Sequence, residues 1–197
     1  MITKTQLHIK RAFDLVLVVL ILPIFIIPLV LLIFIATLDT RKNGIFSQIR
    51  VGQQGRLFKI YKIRTLKEGV HELGQLHRSA TRLGQFLRRT KLDELPQLFN
   101  VLIGDMSFVG PRPDILGFAD QLTGDDRIIL KVKPGLTGEA TLKYKDEERL
   151  LERQNNPEHY NRTIIWVDKV NINKMYVENY SFYLDLKLIL KSIINRW

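Results

Sequence analysis

Two adjacent acidic residues, Asp93 and Glu94, carry the strongest chemical signal in the sequence. The stretch after them places apolar side chains on one helical face, at Leu95, Leu98, Phe99 and Leu102. Pro96 suits a first helical turn and Gly104 suits a helix end. The sequence therefore predicts both carboxylates at a helix N-terminus, where Asp93 as N-cap and Glu94 as first-turn acid is the ordinary structural interpretation.

The same position also suits phosphate chemistry. A helix N-terminus offers free N–H groups and positive potential to phosphates, and it helps to keep an aspartate ionised. An ionised aspartate can attack phosphorus and form an aspartyl phosphoester. A neighbouring carboxylate can hold Mg²⁺, a hard ion that prefers oxygen ligands. We therefore take Asp93 and Glu94 as candidate catalytic residues and as candidate metal ligands.

Basic residues near this pair are candidates for holding phosphate groups. Guanidinium groups match phosphate oxygens in a bidentate way. Arg112 lies between Pro111 and Pro113, so its loop is stiff. The other candidates are Arg88, Lys62 and Arg64. For any one of these cations taken alone, a solvated surface position is the simpler interpretation.

The composition limits the other chemistry that is available. The chain has 197 residues, no cysteine and a formal net charge of +10. Disulfides, cysteine-based zinc sites and thiol nucleophiles are therefore excluded. The positive charge indicates an anionic partner, which could be nucleic acid, acidic lipid or a phosphorylated substrate. No nucleic-acid-binding motif supports the first of these, so we expect no nucleic-acid partner.

An uncharged apolar segment runs from Leu15 to Leu38. As a straight helix it would be about 36 Å long, enough to cross a hydrocarbon core of about 30 Å. Pro23 and Pro28 lie inside it and each tends to kink or break a helix. Basic residues flank both ends, which gives no clear orientation for a crossing helix. From these residues alone, a kinked spanning helix and a bent helix that returns to the same face are equally good interpretations.

Two further elements complete the expected fold. Residues Phe58–Ile63 alternate apolar and polar side chains and predict a short strand. Ser181 can cap a C-terminal amphipathic helix that runs toward Trp197 and rests on the membrane surface or on the core.

The motifs of this chain resemble those of the bacterial sugar transferase family, the monotopic phosphoglycosyl transferases. The central match is Leu92–Leu98 followed by Gly104–Pro113. Further matching blocks run along nearly the whole chain, at Lys10–Asp14, Gln48–Gly52, Phe58–Thr65, Arg88, Lys133–Gly138 and Asn179–Asp185. So many motifs in the same order identify the chain as a member.

The resemblance implies an α+β, mainly helical fold. Residues 1–40 would form a re-entrant membrane hairpin broken at a proline, which favours the same-face interpretation. Residues 41–197 would form a small cytoplasmic catalytic domain with a few short strands and membrane-surface helices. The expected location is the bacterial inner (cytoplasmic) membrane, with the catalytic domain on the cytoplasmic face.

The resemblance also implies a two-step, Mg²⁺-dependent reaction. Asp93 would attack the β-phosphate of a UDP-sugar and expel UMP, and polyprenyl (undecaprenyl) phosphate would then take the phosphosugar from Asp93. This would be the first membrane step of bacterial glycoconjugate assembly. Glu94 would help to bind the metal, and Arg88 and Arg112 would hold phosphates. The expected partners are UDP-sugar, polyprenyl phosphate and membrane lipids; a homo-oligomer and downstream glycosyltransferases are further candidates.

The sequence departs from the family pattern at several positions, and two of these regions affect the expected fold and function. Ile27 stands before Pro28 where some members have serine, so Pro23 could share the helix-breaking role. The charged stretch 139–174 is distinctive, and no sugar-binding role is transferred to it. The alternative function is a non-enzymatic basic membrane adaptor that binds acidic lipid or protein. Such an adaptor would be indifferent to changes at Asp93 and Glu94.

Overall fold

The computed structural model describes residues 2–69 and 73–194, and it is mainly helical with a few short strands. This confirms the α+β, mainly helical prediction. The helices are α1 Lys4–Thr40, α2 Leu76–Ser79, α3 Arg82–Thr90, α4 Gln97–Ile103, α5 Glu139–Lys143, α6 Glu147–Glu152, α7 Pro157–Tyr160, α8 Trp166–Glu178 and α9 Phe182–Ile194. The strands are β1 Ile45–Val51, β2 Leu57–Ile63, β3 Ser107–Val109 and β4 Gly135–Thr137.

Helix α1 is the one helix of the described ranges that is long and apolar enough to cross a membrane. It begins with a capping box between Thr3 and Gln6. Pro23 and Pro28 lie inside it, and the helix continues through both, so they do not divide it into two helices. A bend at these prolines remains a prediction. Ile24 and Ile27 are each 70% exposed, which leaves an apolar surface for lipid to cover.

The N-terminal part of α1 is joined to the rest of the chain by buried polar contacts. Lys10 Nζ lies 2.6 Å from Asp185 Oδ2 on α9. Arg11 donates to the carbonyl oxygens of Val101 and Leu102 at the end of α4. Asp14 accepts hydrogen bonds from Ser107 and from the backbone N–H of Phe108. These contacts fix the entry of α1 against both α4 and α9.

The C-terminal part of α1 packs through apolar side chains instead. Leu29 and Ala36 are buried in a cluster with Ile63 of β2 and Leu87 of α3. Leu95 touches this cluster and also the main core, which contains Val18 of α1. Both ends of the long helix therefore contact the same body of elements. The predicted division at residues 40 and 41 coincides with the end of α1 at Thr40, and the two-domain organisation remains a prediction.

Two small sheets support the central part of the chain. Strands β1 and β2 form an antiparallel hairpin in which Ile45 faces Ile63, which confirms the strand predicted over Phe58–Ile63. Strands β3 and β4 are short and parallel, with Ser107 opposite Gly135. The hairpin presents Lys62 toward Glu94, and β3 leads directly into the loop that carries Arg112.

The C-terminal helix α9 begins where the sequence predicts. Ser181 Oγ accepts a hydrogen bond from the N–H of Leu184 at its first turn. Asp185 and Leu188 are buried, so this face of α9 packs on the core, while Tyr183 and Leu190 are exposed. Trp197, which we expected near the lipid headgroups, lies outside the described residues.

Candidate active site

The Asp93–Glu94 pair lies in a tight turn between two helices. Helix α3 ends at Thr90. Lys91 follows with a left-handed backbone (φ 56°) that turns the chain, and Leu92–Glu94 then form one 3₁₀ turn. Helix α4 follows from Gln97 and is capped by no side chain. The carboxylates therefore precede the helix by one turn, and the interpretation of Asp93 as its N-cap and Glu94 as its first-turn acid is wrong. The local reason is that the pair belongs to a separate 3₁₀ turn, Leu92–Glu94, and Leu95 and Pro96 lie between this turn and the start of α4 at Gln97.

Glu94 is held by two cations from other parts of the chain. Its carboxylate accepts a short hydrogen bond from Arg112 Nη2, and its Oε1 lies 3.1 Å from Lys62 Nζ. Burial alone would raise the pKa of Glu94, but Arg112 and then Lys62 outweigh it and hold that pKa well below its usual range. Glu94 is thus an anion that anchors both cations beside Asp93.

Asp93 has a very different environment from its neighbour. Its side chain is 6% exposed, and its Oδ1 is buried without a hydrogen-bond partner in the described part of the chain. Burial, and next the negative charge of Glu94, raise the pKa of Asp93, while Lys62, Lys91 and Arg88 oppose that rise. A buried, unpaired carboxylate costs stability, so its retention calls for a functional explanation.

A stiff loop delivers Arg112 to this pair. The backbone around it is tied to β4, because Gly135 N–H donates to Pro111 O and Gly110 N–H donates to Thr137 O. The two backbone segments approach so closely that a Cβ on Gly110 would lie 2.4 Å from the carbonyl oxygen of Lys133. This contact explains why the Lys133–Gly138 motif accompanies the loop of Arg112. The predicted place of Arg112 beside the acidic pair is therefore found.

The other predicted phosphate-binding residues divide into two groups. Lys62 reaches Glu94, and Arg88 influences the pKa of Asp93. Arg88 also lies 2.7 Å from Glu148 of α6, so this arginine already has a carboxylate partner. Arg64 is not at the pair: its Nε donates to Asn43 O at 2.7 Å, and its guanidinium lies over the ring of Phe46. Arg64 lies away from the pair because it comes directly after β2, near the C-terminal end of α1 at Thr40.

A second charged group, missed by the sequence analysis, lies next to Arg112. Asp114 follows Pro113 and lines a small cavity together with Arg112. Burial raises the pKa of Asp114 to about 6, against the influence of Lys169 and Arg50. Lys169 in turn lies 2.6 Å from Glu147 of α6. The position of Asp114 directly after the Pro-Arg-Pro motif was the only sequence signal for it.

This second group brings the distinctive stretch 139–174 to the site. Helix α6 supplies Glu147 to Lys169 and Glu148 to Arg88. Helix α5 and α8 are joined nearby, because Lys143 and Tyr144 both donate to Asp168. The charged stretch therefore contacts Arg88, one of the cations that act on Asp93, which its sequence alone did not reveal.

The side chains at the pair are chemically suited to Mg²⁺. Within residues 2–69 and 73–194, no group of three or more histidine or acidic side chains is placed to hold a metal. Mg²⁺ is commonly bound by one or two carboxylates, with the remaining ligands from water and substrate phosphates. The unpartnered buried oxygen of Asp93 and the adjacent Glu94 provide such a pair of carboxylates. The donor set thus fits Mg²⁺ if a phosphorylated substrate completes it.

Comparison with known proteins decides the family. The bacterial sugar transferase family model matches residues 5–196, which is nearly the whole chain. The chain belongs to the bacterial sugar transferase family. This confirms the family proposed from the motifs around Asp93 and Arg112. It also makes the chain a member of a transferase family, in agreement with the enzyme prediction.

This chain covers individual relatives within the bacterial sugar transferases to different extents. The chain is 33% identical over 187 residues to an uncharacterized sugar transferase, EpsL, of Bacillus subtilis, covering 93% of this chain and 85% of the relative. It is 36% identical over 194 residues to a UDP-glucose:undecaprenyl-phosphate glucose-1-phosphate transferase of Klebsiella pneumoniae, covering 93% of this chain but 39% of the relative.

The name of a third relative contains a different sugar, galactose. It is an undecaprenyl-phosphate galactose phosphotransferase of Salmonella typhimurium, 32% identical over 211 residues, covering 96% of this chain and 40% of the relative. This chain therefore spans about two fifths of the length of the Klebsiella and Salmonella proteins. The names of these relatives differ in the sugar, so family membership alone does not specify it.

Proposed function

We propose that this protein transfers a phosphosugar from a UDP-sugar to polyprenyl phosphate, with Asp93 as the nucleophile. The observation that carries the proposal is the contrast within the acidic pair. Glu94 is neutralised by Arg112 and Lys62, whereas Asp93 Oδ1 is buried without a hydrogen-bond partner in the described part of the chain. An anion without a partner, beside cations, is a suitable nucleophile for phosphorus.

The proposed reaction has two displacements at phosphorus. An Asp93 oxygen forms a bond to the β-phosphorus of the UDP-sugar, the bond from that phosphorus to the bridging oxygen breaks, and UMP leaves. A phosphate oxygen of the polyprenyl phosphate then attacks the same phosphorus and releases the Asp93 carboxylate. No proton transfer to the nucleophile is needed in either step, provided that Asp93 is ionised.

The surrounding cations have separate roles in this proposal. Arg112 is placed by Glu94 and by its stiff loop, so its guanidinium can stabilise charge on the phosphates without reorganisation. Arg88 Nη2 is paired with Glu148, so Arg88 can offer its full guanidinium to a phosphate only if it leaves Glu148. Mg²⁺, held by Asp93 and Glu94, would neutralise charge on the diphosphate and help UMP to leave.

The burial of Asp93 adds a requirement to the proposal. With 6% of its side chain exposed, Asp93 is not accessible to a nucleotide sugar without local movement. Helix α6 is the element whose movement would free a cation, because its Glu148 holds Arg88. The proposal therefore includes an opening of α6 when substrates bind. Closure afterwards would exclude water from the phosphorylated aspartate.

The proposed membrane placement is a re-entrant α1 with both ends on the cytoplasmic face of the inner membrane. Support comes from packing, because Asp14 near one end and Ala36 near the other both contact the same body of elements. A straight helix would separate these two residues by about 33 Å. Pro23 and Pro28 lie between them and are suitable positions for the necessary bend.

The placement can be tested with single cysteines, because the chain contains none. Thr5→Cys, Asn43→Cys and, as a reference in the catalytic part, Lys59→Cys would each be labelled in intact cells with a membrane-impermeant maleimide. We expect all three to be protected until the cells are opened. Labelling of Thr5→Cys from outside, with the other two protected, would show a spanning helix instead.

The activity itself is tested by the release of UMP. Membrane fractions containing the protein would be incubated with Mg²⁺, polyprenyl phosphate and a panel of UDP-sugars that includes UDP-glucose and UDP-galactose. We expect repeated UMP release with at least one donor. Without added acceptor, release should stop after about one UMP per protein molecule, and without the protein there should be none. The adaptor alternative predicts no UMP release with any donor and a cellular function that is unchanged by substitution of Asp93 or Glu94.

A further inference from the structure

A polar cavity at the C-terminal end of α1 lies apart from the Asp93–Glu94 pair. Its volume is about 200 Å³, and it is lined by Thr40, Lys42, Arg64, Leu66, Lys67, Glu68 and Gly69. Three of these side chains are cations and one is an anion. The cavity therefore carries excess positive charge, and it contains Arg64, the one predicted phosphate-binding residue that the active site does not use.

Arg64 is oriented in this cavity by two contacts. Its Nε donates to Asn43 O at 2.7 Å, and its guanidinium carbon lies 5.7 Å from the centre of the Phe46 ring. Within residues 2–69 and 73–194 the bond to Asn43 O is the only hydrogen bond of the Arg64 side chain, so both terminal nitrogens are free to donate. A fixed arginine with two free N–H groups on one side is suited to a phosphate group.

The other two cations add charge at the same place. Lys67 is exposed and its side chain has no ion pair among the described residues. Lys42 lies 2.5 Å from Glu68, in a pair that is largely exposed and can exchange one anionic partner for another. A phosphate in the cavity would therefore meet Arg64 and Lys67 first, with Lys42 as a third cation.

The depth of the cavity indicates which phosphates can reach it. Thr40 lies only two residues beyond Leu38, the last residue of the uncharged apolar segment, which is about 3 Å along the helix. The headgroup layer on each side of a bilayer is about 5–8 Å thick. Ile45 and Phe46, both partly exposed beside Arg64, provide apolar contact next to the charge. The cavity thus lies at headgroup depth if α1 is embedded.

We propose that this cavity binds the phosphate group of an anionic membrane lipid through Arg64 and Lys67. The inference rests on the membrane placement of the proposed function, but it does not require catalysis by Asp93. Two sources share the chemistry: a bilayer phospholipid such as phosphatidylglycerol, and the polyprenyl phosphate acceptor. A bound lipid phosphate would hold the end of α1 at a fixed depth.

The test measures binding without turnover. The full-length protein in a nonionic detergent would be titrated with short-chain phosphatidylglycerol, with short-chain phosphatidylcholine and with farnesyl phosphate, and bound lipid would be counted by native mass spectrometry. The test variant is Arg64→Gln/Lys67→Gln. The control is Arg56→Gln/Lys59→Gln, which removes the same charge from exposed positions outside the cavity.

We expect the test variant to bind phosphatidylglycerol, farnesyl phosphate or both about 25-fold more weakly, from about fivefold for each basic residue near an anionic lipid. A loss for phosphatidylglycerol alone assigns the cavity to a bilayer lipid, and a loss for farnesyl phosphate alone assigns it to the acceptor. The control variant and the binding of phosphatidylcholine should change little. Equal affinities of the test and control variants for both anionic lipids would overturn the proposal.

Two further measurements separate loss of lipid binding from unfolding and from loss of transferase activity. If the double variant unfolds, Lys67→Gln alone, at an exposed position, should still weaken binding about fivefold. An Asp93→Asn protein should bind both lipids at this cavity like the wild type. Loss of transferase activity in that variant with normal lipid binding would separate the two proposals, since each can then fail alone.

Discussion

Asp93 and Asp185 are both buried aspartates close to cations, but their surroundings differ completely. Asp185 is 1% exposed and accepts hydrogen bonds from Lys10, Tyr176 and Tyr180. Asp93 is 6% exposed, and its buried Oδ1 has no hydrogen-bond partner among the described residues. One carboxylate is saturated with partners and joins α9 to α1. The other is left without partners, at the place where the family motifs converge.

The difference shows how a structural and a reactive carboxylate can be told apart. A buried carboxylate whose oxygens are all occupied contributes to the fold and cannot attack a substrate without losing those bonds. A buried carboxylate without partners weakens the fold and keeps its lone pairs available. Substitutions at Asp93, at Asp185 and at their neighbours test whether the two aspartates belong to these two classes.

The largest expected effect is on activity at Asp93. Asp93→Asn removes the proposed nucleophile while keeping the size of the side chain, so UMP release should fall roughly 10³-fold or more. The matched change Asp185→Asn should reduce activity only as far as it reduces the amount of folded protein. Steady-state UMP release per folded molecule measures both. Normal turnover by Asp93→Asn would place the two aspartates in the same class.

The next effect is on stability at the other aspartate. Lys10→Met leaves Asp185 buried without its cation, so the free energy of unfolding should fall by about 3–5 kcal/mol. In Lys10→Met/Asp185→Asn the uncompensated charge is gone, so part of this loss should be recovered. Thermal unfolding in detergent, followed by tryptophan fluorescence, compares the two. A double variant that is less stable than Lys10→Met would show that the ion pair is not the stabilising element.

A smaller effect is expected when the neighbour of Asp93 is changed. Glu94→Gln frees Arg112 and Lys62 from their shared anion, and activity should fall about 10–100-fold, as for other residues that orient a reactive group. Because the charge of Glu94 raises the pKa of Asp93, its removal should lower that pKa. The acid limb of the pH–rate profile should therefore move to lower pH. A shift to higher pH would contradict the assigned interaction.

The smallest effect concerns stability against pH. Burial raises the pKa of Asp93 above the value of 3.8 for the unfolded chain, so the folded state binds the proton more tightly. Ionised Asp93 thus reduces stability above its folded pKa, and this cost disappears as the pH falls toward 3.8. Asp93→Asn should be more stable than the wild type at neutral pH, with a difference that shrinks in acid. If Asp93→Asn and the wild type had the same melting temperature at every pH, burial of the ionised Asp93 would not reduce the stability of the fold.

The sequence predicted the elements with local signals. The strand at Phe58–Ile63, the cap at Ser181 and the long apolar helix all depend on neighbouring residues, and the structure confirms them. The motifs also identified Asp93, Glu94 and Arg112 as one group. These residues are close in the chain or follow a stiff loop, so their meeting could be anticipated.

The rest could not be predicted because it depends on contacts between distant segments. The ion pair of Glu148 with Arg88 joins residues 60 positions apart, and no local pattern announces it. Lys62 lies on β2 and Arg64 just beyond its end, two residues later, yet only Lys62 reaches Glu94. The helix cap expected of Asp93 failed because the left-handed Lys91 starts a 3₁₀ turn before α4.

The most direct test of the central claim is the mass of the protein after a brief incubation with Mg²⁺ and an active UDP-sugar donor, without acceptor. We predict that part of the wild-type protein gains the mass of one phosphosugar, that peptide mapping places it on Asp93, and that polyprenyl phosphate removes it. Asp93→Asn should gain nothing. An adduct on another residue, or turnover with no adduct at any time point, would contradict the account.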